Sequence, residues 1–437
     1  MVCGDGARMI GARDRSSSKR PLADKGVRAG PVWADALRMT QPIVVHKYGG
    51  SSVADVAKIK RIAAQVAARR AQGAGMVVVV SAMGDTTDEL LALAKEVTPH
   101  PHRRELDMLL TAGERISMAL LSMALIEAGT PAISFTGSQS GIITSADHAQ
   151  ARIIDVRPTR VREALAAGKV VIVAGYQGVS EFREVTTLGR GGSDTTAVAM
   201  AAALSAQVCE ICSDVDGVFS ADPRVVPAAR KLSQLAYQEM QELAHCGASV
   251  LNAAAVEFAR AKNICIQARS TFGEGTGTQI LDAEGGPVIQ AVATDASVGL
   301  VHAPGAIDVE GLCALLRTHG AAARELARSG EVLATPDARR AWIIAMADLH
   351  DDDVAPELAG AYGAELCTDV ARVSAVGRGA VEDRVARILD DAARSCGATV
   401  LAVDCQRLSR SVFVPRAKLG EVARAAHAAL IEAQPAG

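Results

Sequence analysis

Three glycine-rich segments hold the residues best suited to chemistry: Lys47-Tyr-Gly49-Gly50-Ser51-Ser52, Thr186 to Thr196, and Ser213 to Arg224. Each follows an apolar run that reads as a strand, and in open α/β sheets ligands sit beyond the carboxyl ends of the strands. In the first, paired glycines let backbone amides approach a phosphate, the serines can cap a following helix, and Lys47 can neutralise charge as a phosphoryl group moves. No GxxxxGK[ST] pattern occurs, so this is not a P-loop, and a Gly-Gly turn also serves as a plain strand-to-helix connection. In the second, Arg190 stands among Gly189, Gly191 and Gly192, an unlikely core residue whose guanidinium can grip a carboxylate or phosphate. Ser193 or Asp194 can act there as a helix N-cap. The third offers Ser213, Asp214, Asp216, Phe219, Asp222 and Arg224, the acidic groups, ring and cation a nucleotide pocket needs. Asp-Gly and Asp-Pro turns also form without any ligand.

Apolar runs alternate with amphipathic stretches from residue 43 onward, which predicts an α/β sheet wrapped by helices. Strands are expected at 43–47, 75–81, 131–135, 170–174, 208–213 and 264–267. Helices are expected at 53–72, 88–97, 104–128 and 194–205, with a long helical region at 236–261. Continuous runs such as Val77 to Val80 predict a largely parallel sheet covered on both faces. Composition changes near residue 285. Beyond it, shorter units (strands at 298–301, 342–346, 372–376, 399–403 and 411–414; helices at 309–318, 380–394 and 417–431) suggest a small βαββαβ module, single or duplicated. Residues 1–38 mix Gly, Ser, Pro and Arg without period and read as disordered, with Met39 as an alternative start.

The 437 residues carry 46 Lys plus Arg against 49 Asp plus Glu, a formal charge of -3, so no global basic field holds nucleic acid or an anionic membrane. Two Trp, four Tyr and six Phe argue against ranks of stacked bases. No apolar run spans a bilayer length without a charge or a glycine. Nine scattered cysteines without a preceding apolar signal segment predict reduced thiols and a cytoplasmic protein. Cys209 and Cys212 form a CxxC, but residues three apart in a strand point to opposite faces, so these thiols cannot share a metal. No metal ligands are assigned.

Taken together, the segments resemble the aspartate kinase branch of the amino acid kinase family. The resemblance runs from about residue 43 to 281 and rests on the three segments with Ser81-Ala-Met-Gly84-Asp-Thr86-Thr87-Asp88, Leu110-Thr-Ala-Gly113-Glu114-Arg115 and Ser134-Phe-Thr136-Gly137-Ser138-Gln139. It implies an amino acid kinase fold in residues 39–285 and degenerate tandem ACT-like, ferredoxin-type α+β domains in 286–437. It also implies ATP- and Mg2+-dependent phosphorylation of the L-aspartate side chain to 4-phospho-L-aspartate, at the head of lysine, threonine and methionine biosynthesis. By the same resemblance Lys47 stabilises the moving phosphoryl group and Asp194 orients Lys47. Glu114 and Arg190 hold the amino group and a carboxylate of aspartate, with Thr86 and Ser193 close by. Gly49, Gly50, Ser51, Ser213, Asp214, Phe219 and Arg224 serve the nucleotide. The alternatives are a kinase of another small acidic amino acid and a catalytically weak regulatory subunit.

Two departures from the family pattern stand out. Gly247-Ala-Ser249-Val-Leu251 has serine where the family carries a lysine near the phosphates, which bears on nucleotide affinity. In the C-terminal third, Ala303-Pro304-Gly305-Ala306 and Val376-Gly377-Arg378-Gly379 are distant echoes of the Pro-Gly turn that opens an effector-binding helix. The expectation is a C-terminal region kept for homo-oligomerisation or folding, with weak or no feedback by lysine and threonine.

Overall fold

A run of β-branched residues from Ile43 makes the first strand, β1 (Ile43–Tyr48), and everything in the N-terminal half is arranged around it. The computed structural model describes residues 42–189, 191–206, 208–283, 288–327, 339–349 and 354–433. The expected disorder of residues 1–38 concerns a segment outside the described residues, as does the proposed grip of Arg190.

After β1 come α1 (Val56–Ala71), β2 (Gly75–Val80), α2 (Thr86–Val97), α3 (Arg103–Glu127), β3 (Ala132–Phe135), β4 (Ile142–Thr144) and β5 (Ile153–Val156). Next are α4 (Thr159–Ala166), β6 (Val170–Ala174), β7 (Gln177–Ser180), β8 (Val185–Thr187), α5 (Gly192–Leu204) and β9 (Val208–Ser213). The half closes with β10 (Gln234–Ala236), α6 (Tyr237–His245), α7 (Ala253–Lys262), β11 (Ile266–Ser270) and β12 (Thr278–Leu281). Eight strands form one sheet in the order β10-β12-β11-β9-β1-β2-β6-β3. Every pairing is parallel except β11 with β12. Strands β2 and β6 are buried throughout because helices cover both faces, as their unbroken apolar runs predict.

The main sheet matches the expected α/β architecture, and three local readings need correction. Ser51 and Ser52 do not cap the first helix: the chain makes a short 3-10 turn at Gly50–Val53, and α1 starts at Val56 with the Asp55 carboxylate accepting the Lys58 amide at 2.8 Å. The long helical region breaks into α6 and α7, since Gly247 adopts φ +105° and Asn252 opens α7 by accepting the Ala254 and Ala255 amides. A second sheet, β5-β4-β7-β8, adds to the elements expected from sequence, because strands of three or four residues are too short to show a period. Helix α3 is long and apolar enough to cross a membrane by length and composition, yet it buries Asp107, Thr111, Glu114, Ser117 and Ser122, as a core helix of this fold does.

The C-terminal part contains β13 (Ala291–Asp295), β14 (Val298–Ala303), α8 (Val309–Thr318), β15 (Ala323–Glu325), β16 (Arg340–Ala345), α9 (Val354–Tyr362) and β17 (Glu365–Cys367). It ends with β18 (Ala371–Val376), α10 (Asp383–Ser395), β19 (Ala402–Cys405), β20 (Ser409–Val414) and α11 (Leu419–His427), closed by one π-helical turn, Ala428–Glu432. Strand β14 to strand β17 run βαββαβ and form the antiparallel sheet β15-β16-β14-β17. The second sheet, β13-β18-β20-β19, takes its edge strand from before the first module, so the first is inserted into the second. Trp342, 1% exposed, centres the first core with Val301, Leu312, Leu316, Ile344 and Leu358. Truncation by Trp342→Ala should cost about 3–5 kcal/mol. Urea unfolding checks this, and a loss below about 1 kcal/mol would mean that the ring fills no packed core.

Candidate functional site

Strand β1 is where chain progression reverses. The early strands β2, β6 and β3 lie on one side of it, and β9 with β11, β12 and β10 on the other. The crevice beyond the carboxyl ends of β1 and β9 is therefore the topological switch point, where open α/β sheets bind ligands. Four loops meet there through their backbones: Gly49 N–H donates to Cys212 O (3.3 Å), Ser81 N–H to Tyr48 O (3.1 Å), Gly84 N–H to Gly50 O (3.1 Å) and Gly175 N–H to Val80 O (3.0 Å).

Lys47 and Tyr48 alternate across the sheet, which sends Lys47 toward α5. Its Nζ lies 2.7 Å from Asp194 Oδ1, the two side chains being only 12% and 10% exposed. The contact is an ion pair; Oδ1 has no aligned hydrogen-bond partner. Asp194 sits in the first turn of α5, whose N-terminal dipole favours a negative charge. The N-cap is Gly191, at φ +72° without a side-chain cap, so neither Ser193 nor Asp194 fills that role. A Cβ on Gly191 would lie 2.2 Å from Asn252 Nδ2, so glycine allows the turn between α6 and α7 to close on the start of α5. Ser249 lies exposed in that turn. The remainder of α5 is small and apolar, with Ala197, Val198, Ala199, Met200 and Ala201 all buried, so the helix seats closely on the sheet.

Ser193 is buried and packs on Gly175, where a Cβ would come within 2.7 Å of its Oγ. Gly113 plays the same part for α3: a Cβ there would lie 2.7 Å from that of Ala82 and 3.6 Å from Thr86 Cγ2. That closeness brings buried Glu114 to the loop after β2, where its Oε1 accepts the Ala82 amide at 3.2 Å and its Oε2 is left without a partner. Burial pushes the Glu114 carboxyl up to about 7, against the lowering pull of the Ala82 amide. Thr86 opens α2 and donates its hydroxyl to Met83 O at 2.6 Å. Buried Asp107 braces the approach to Gly189, accepting the Thr187 hydroxyl at 2.6 Å and the Ala149 amide at 3.1 Å.

The predicted nucleotide residues occupy the same strand ends with different degrees of freedom. A Cβ on Gly50 would meet the Ala82 and Gly84 carbonyls at 3.0 Å, and one on Gly49 would lie 3.4 Å from Lys47 Nζ. Ser51 is exposed, and its carbonyl accepts Lys58 Nζ at 2.9 Å. Ser213 Oγ accepts the Val215 amide at 3.3 Å, Asp214 is exposed, and Phe219 is half-buried in a bridge to Lys231. Arg224 is turned onto Asp222, with Nη2 to Oδ2 at 2.8 Å, and this pairing holds the Asp222 carboxyl below its usual range.

On the opposite face of β1 and β9, His46, Glu210 and Cys212 bring ligand-type atoms within 4.8 Å of one another, the one such cluster among the described residues. Its chemistry is that of a charge network. Arg269 lies 3.3 Å and Arg69 3.6 Å from Glu210, and His46 3.4 Å. Burial would raise the Glu210 carboxyl, yet these three cations and donors bring it down to about 2, while burial and Glu210 push the Cys212 thiol up to about 12. A protonated thiol under two guanidiniums is a poor cation site, and a hard ion such as Mg2+ takes oxygen ligands. All eight cysteines among the described residues are unpaired.

The sequence profile of the amino acid kinase family matches residues 42–268. An aspartokinase of Mycobacterium bovis is 55% identical over 278 residues, 62% of this chain and 66% of the relative, so that match spans just under two thirds of the relative's length. An aspartokinase of Thermus thermophilus is 41% identical over 401 residues, 89% of this chain and 98% of the relative. In structure, E. coli aspartokinase III in complex with aspartate and ADP superposes with a TM-score of 0.70 at 23% identity, over 89% of this chain and 99% of that one, a likeness of fold. With a profile covering half of its length and a relative matched nearly end to end, the chain belongs to the amino acid kinase family, in its aspartokinase branch.

Proposed function

We propose that this chain is an aspartate kinase, transferring the γ-phosphoryl group of ATP to the side-chain carboxylate of L-aspartate. The observation that carries the reading is the Lys47–Asp194 ion pair, held at the switch point beside the α5 N-terminus. A carboxylate oxygen attacks the γ-phosphorus, the bond to the β,γ-bridging oxygen breaks, and ADP leaves with that electron pair. Like charges meet in this reaction, so positioning and cationic neutralisation supply most of the catalysis. Lys47 lies at the strand end to span the transferring group, and Asp194 keeps its ammonium aimed. Glu114, with one oxygen free, suits the substrate ammonium, Thr86 and Ser193 line the same floor, and Arg190 is assigned a substrate carboxylate. Gly49, Gly50, Ser51, Ser213, Asp214, Phe219 and Arg224 are assigned to the nucleotide. Mg2+ would supply further neutralisation of the nucleotide's phosphate charge, and no residue of the chain is assigned to it.

Residues 39–285 are read as the catalytic domain and 286–437 as tandem ACT-like modules that serve assembly of like chains and respond weakly or not at all to lysine and threonine. ATP-dependent formation of an acyl phosphate, trapped with hydroxylamine across aspartate, glutamate and close analogues, tests the activity. Hydroxamate with glutamate and none with aspartate would assign another acidic substrate.

Lys47→Met and Asp194→Asn should each reduce kcat by about a thousandfold or more. Each also strands a buried charge at a cost of about 3–5 kcal/mol. The double variant should regain the melting temperature without regaining turnover, and restored turnover would remove the mechanism.

Glu114 generates a pH prediction. Its folded pKa, about 7, lies above the ordinary 4.5, so its favourable contribution to apo stability is complete below about pH 4.5 and is lost as pH rises through 7. The KM for aspartate should fall over the same rise, as the carboxylate that meets the ammonium forms. Glu114→Gln should flatten both profiles; unchanged profiles would place the titration elsewhere.

A further inference from the structure

The third glycine-rich segment is held from a direction its sequence does not reveal. Ser220, one residue beyond Phe219, is buried, and every polar atom it owns is engaged. Its N–H donates to Arg230 O at 2.8 Å, its carbonyl accepts the Val292 amide of β13 at 2.8 Å, and its Oγ accepts the Arg230 amide at 2.9 Å. The hydroxyl then has one proton to give. The group facing it, at 2.9 Å, is Nε2 of His427, a fully buried histidine at the end of α11. The other ring nitrogen, Nδ1, lies 3.0 Å from Glu432 Oε1. Glu432 is five residues on, and the π-helical turn Ala428–Glu432 is what folds it back onto the ring.

Donor and acceptor counting assigns the chain of protons. Oγ can accept twice, but the buried Ser220 O–H faces His427 Nε2 as its acceptor, so satisfying that donor has the hydroxyl donate to a bare Nε2 while Nδ1–H donates to Glu432. Each donor then has its acceptor. The residues around this chain belong to one core: Ala221 of the segment and Val226 just beyond it are buried with Val292, Val373, Val422, Ala423, Ala426 and Leu430 of the C-terminal part. Arg424, one helical turn before His427, donates to Val225 O at 3.1 Å.

We infer that His427 is a positioning residue for nucleotide binding, acting through Ser220 to set the placement of Phe219 and the Asp222–Arg224 pair. It touches no substrate in this assignment. The inference rests on the nucleotide role proposed above for Ser213, Asp214, Phe219 and Arg224, and it makes the C-terminal helix part of what determines ATP affinity.

Calorimetric titration of the full chain with ADP, together with KM values for ATP and aspartate, tests it. His427→Leu and Ser220→Ala should each weaken ADP by about tenfold and raise the KM for ATP similarly, with kcat and the aspartate KM within about twofold of wild type. Combining them should add little, since both break one link. His427→Gln, whose side-chain carbonyl can accept the Ser220 hydroxyl, should restore ADP affinity to within about threefold of wild type. Should His427→Leu fail to fold, Ser220→Ala, which removes a single oxygen, carries the test. A folded Ser220→Ala with wild-type ADP affinity overturns the inference while leaving the kinase reading intact, and so does a histidine variant that loses both KM values equally. A wild-type chain that binds no ADP overturns both.

Discussion

The buried ion pair between Lys47 and Asp194 is the constraint on which the rest of the site depends. Two charges removed from water hold each other only if geometry keeps them together, since a lone buried charge costs several kcal/mol. That requirement reaches outward. Strand β1 must be central, with β2 and β9 in register on either side. Helix α5 must lie close enough for a short aspartate to meet a lysine, which its run of small buried residues permits. Its first turn must begin at a glycine, because Asn252 occupies the space a side chain at Gly191 would need.

The same economy appears at the neighbouring loops. Gly50, Gly113 and Gly175 each stand where a Cβ would fall within 3.0 Å of an atom of another segment, so the loops after β1, β2 and β6 and the middle of α3 are drawn into contact. Glu114 is a product of that closeness: the approach that lets it accept the Ala82 amide also excludes the water that would keep its carboxyl acidic. Glu210, on strand β9, has the opposite fate, held ionised by His46, Arg269 and Arg69. A helix and a strand of one domain thus carry two carboxylates whose acidities are driven apart by their neighbours.

The C-terminal modules are more than an appendage to this sheet. Strand β13 pairs with β18 although a whole module lies between them in the chain, and it also bonds Ser220 within the proposed nucleotide loop. Arg372 of β18 donates to the carbonyl of His245 at the end of α6 and to Asp295 at 3.1 Å. The helix whose following turn closes on Gly191 is therefore tied to the second small sheet.

Much of this was legible in the residues themselves. Buried strands announce themselves as β-branched runs, so β1, β2, β6 and β9 lie where periodicity places them, and helix α8 has its predicted bounds. Glycines beside Lys47 and Asp194 marked the strand ends as places where backbone approaches something closely. Local pattern carries no information about partners distant in sequence, and there the tertiary structure decided. It paired Lys47 with Asp194 as an observed contact, set His46, Glu210, Arg69 and Arg269 into one network, and inserted one module into another. It also joined Ser220 to His427 across most of the C-terminal half. The physical reason is that propensity and periodicity act over a few residues, whereas hydrogen bonds and charges are satisfied by whichever group packing brings within reach.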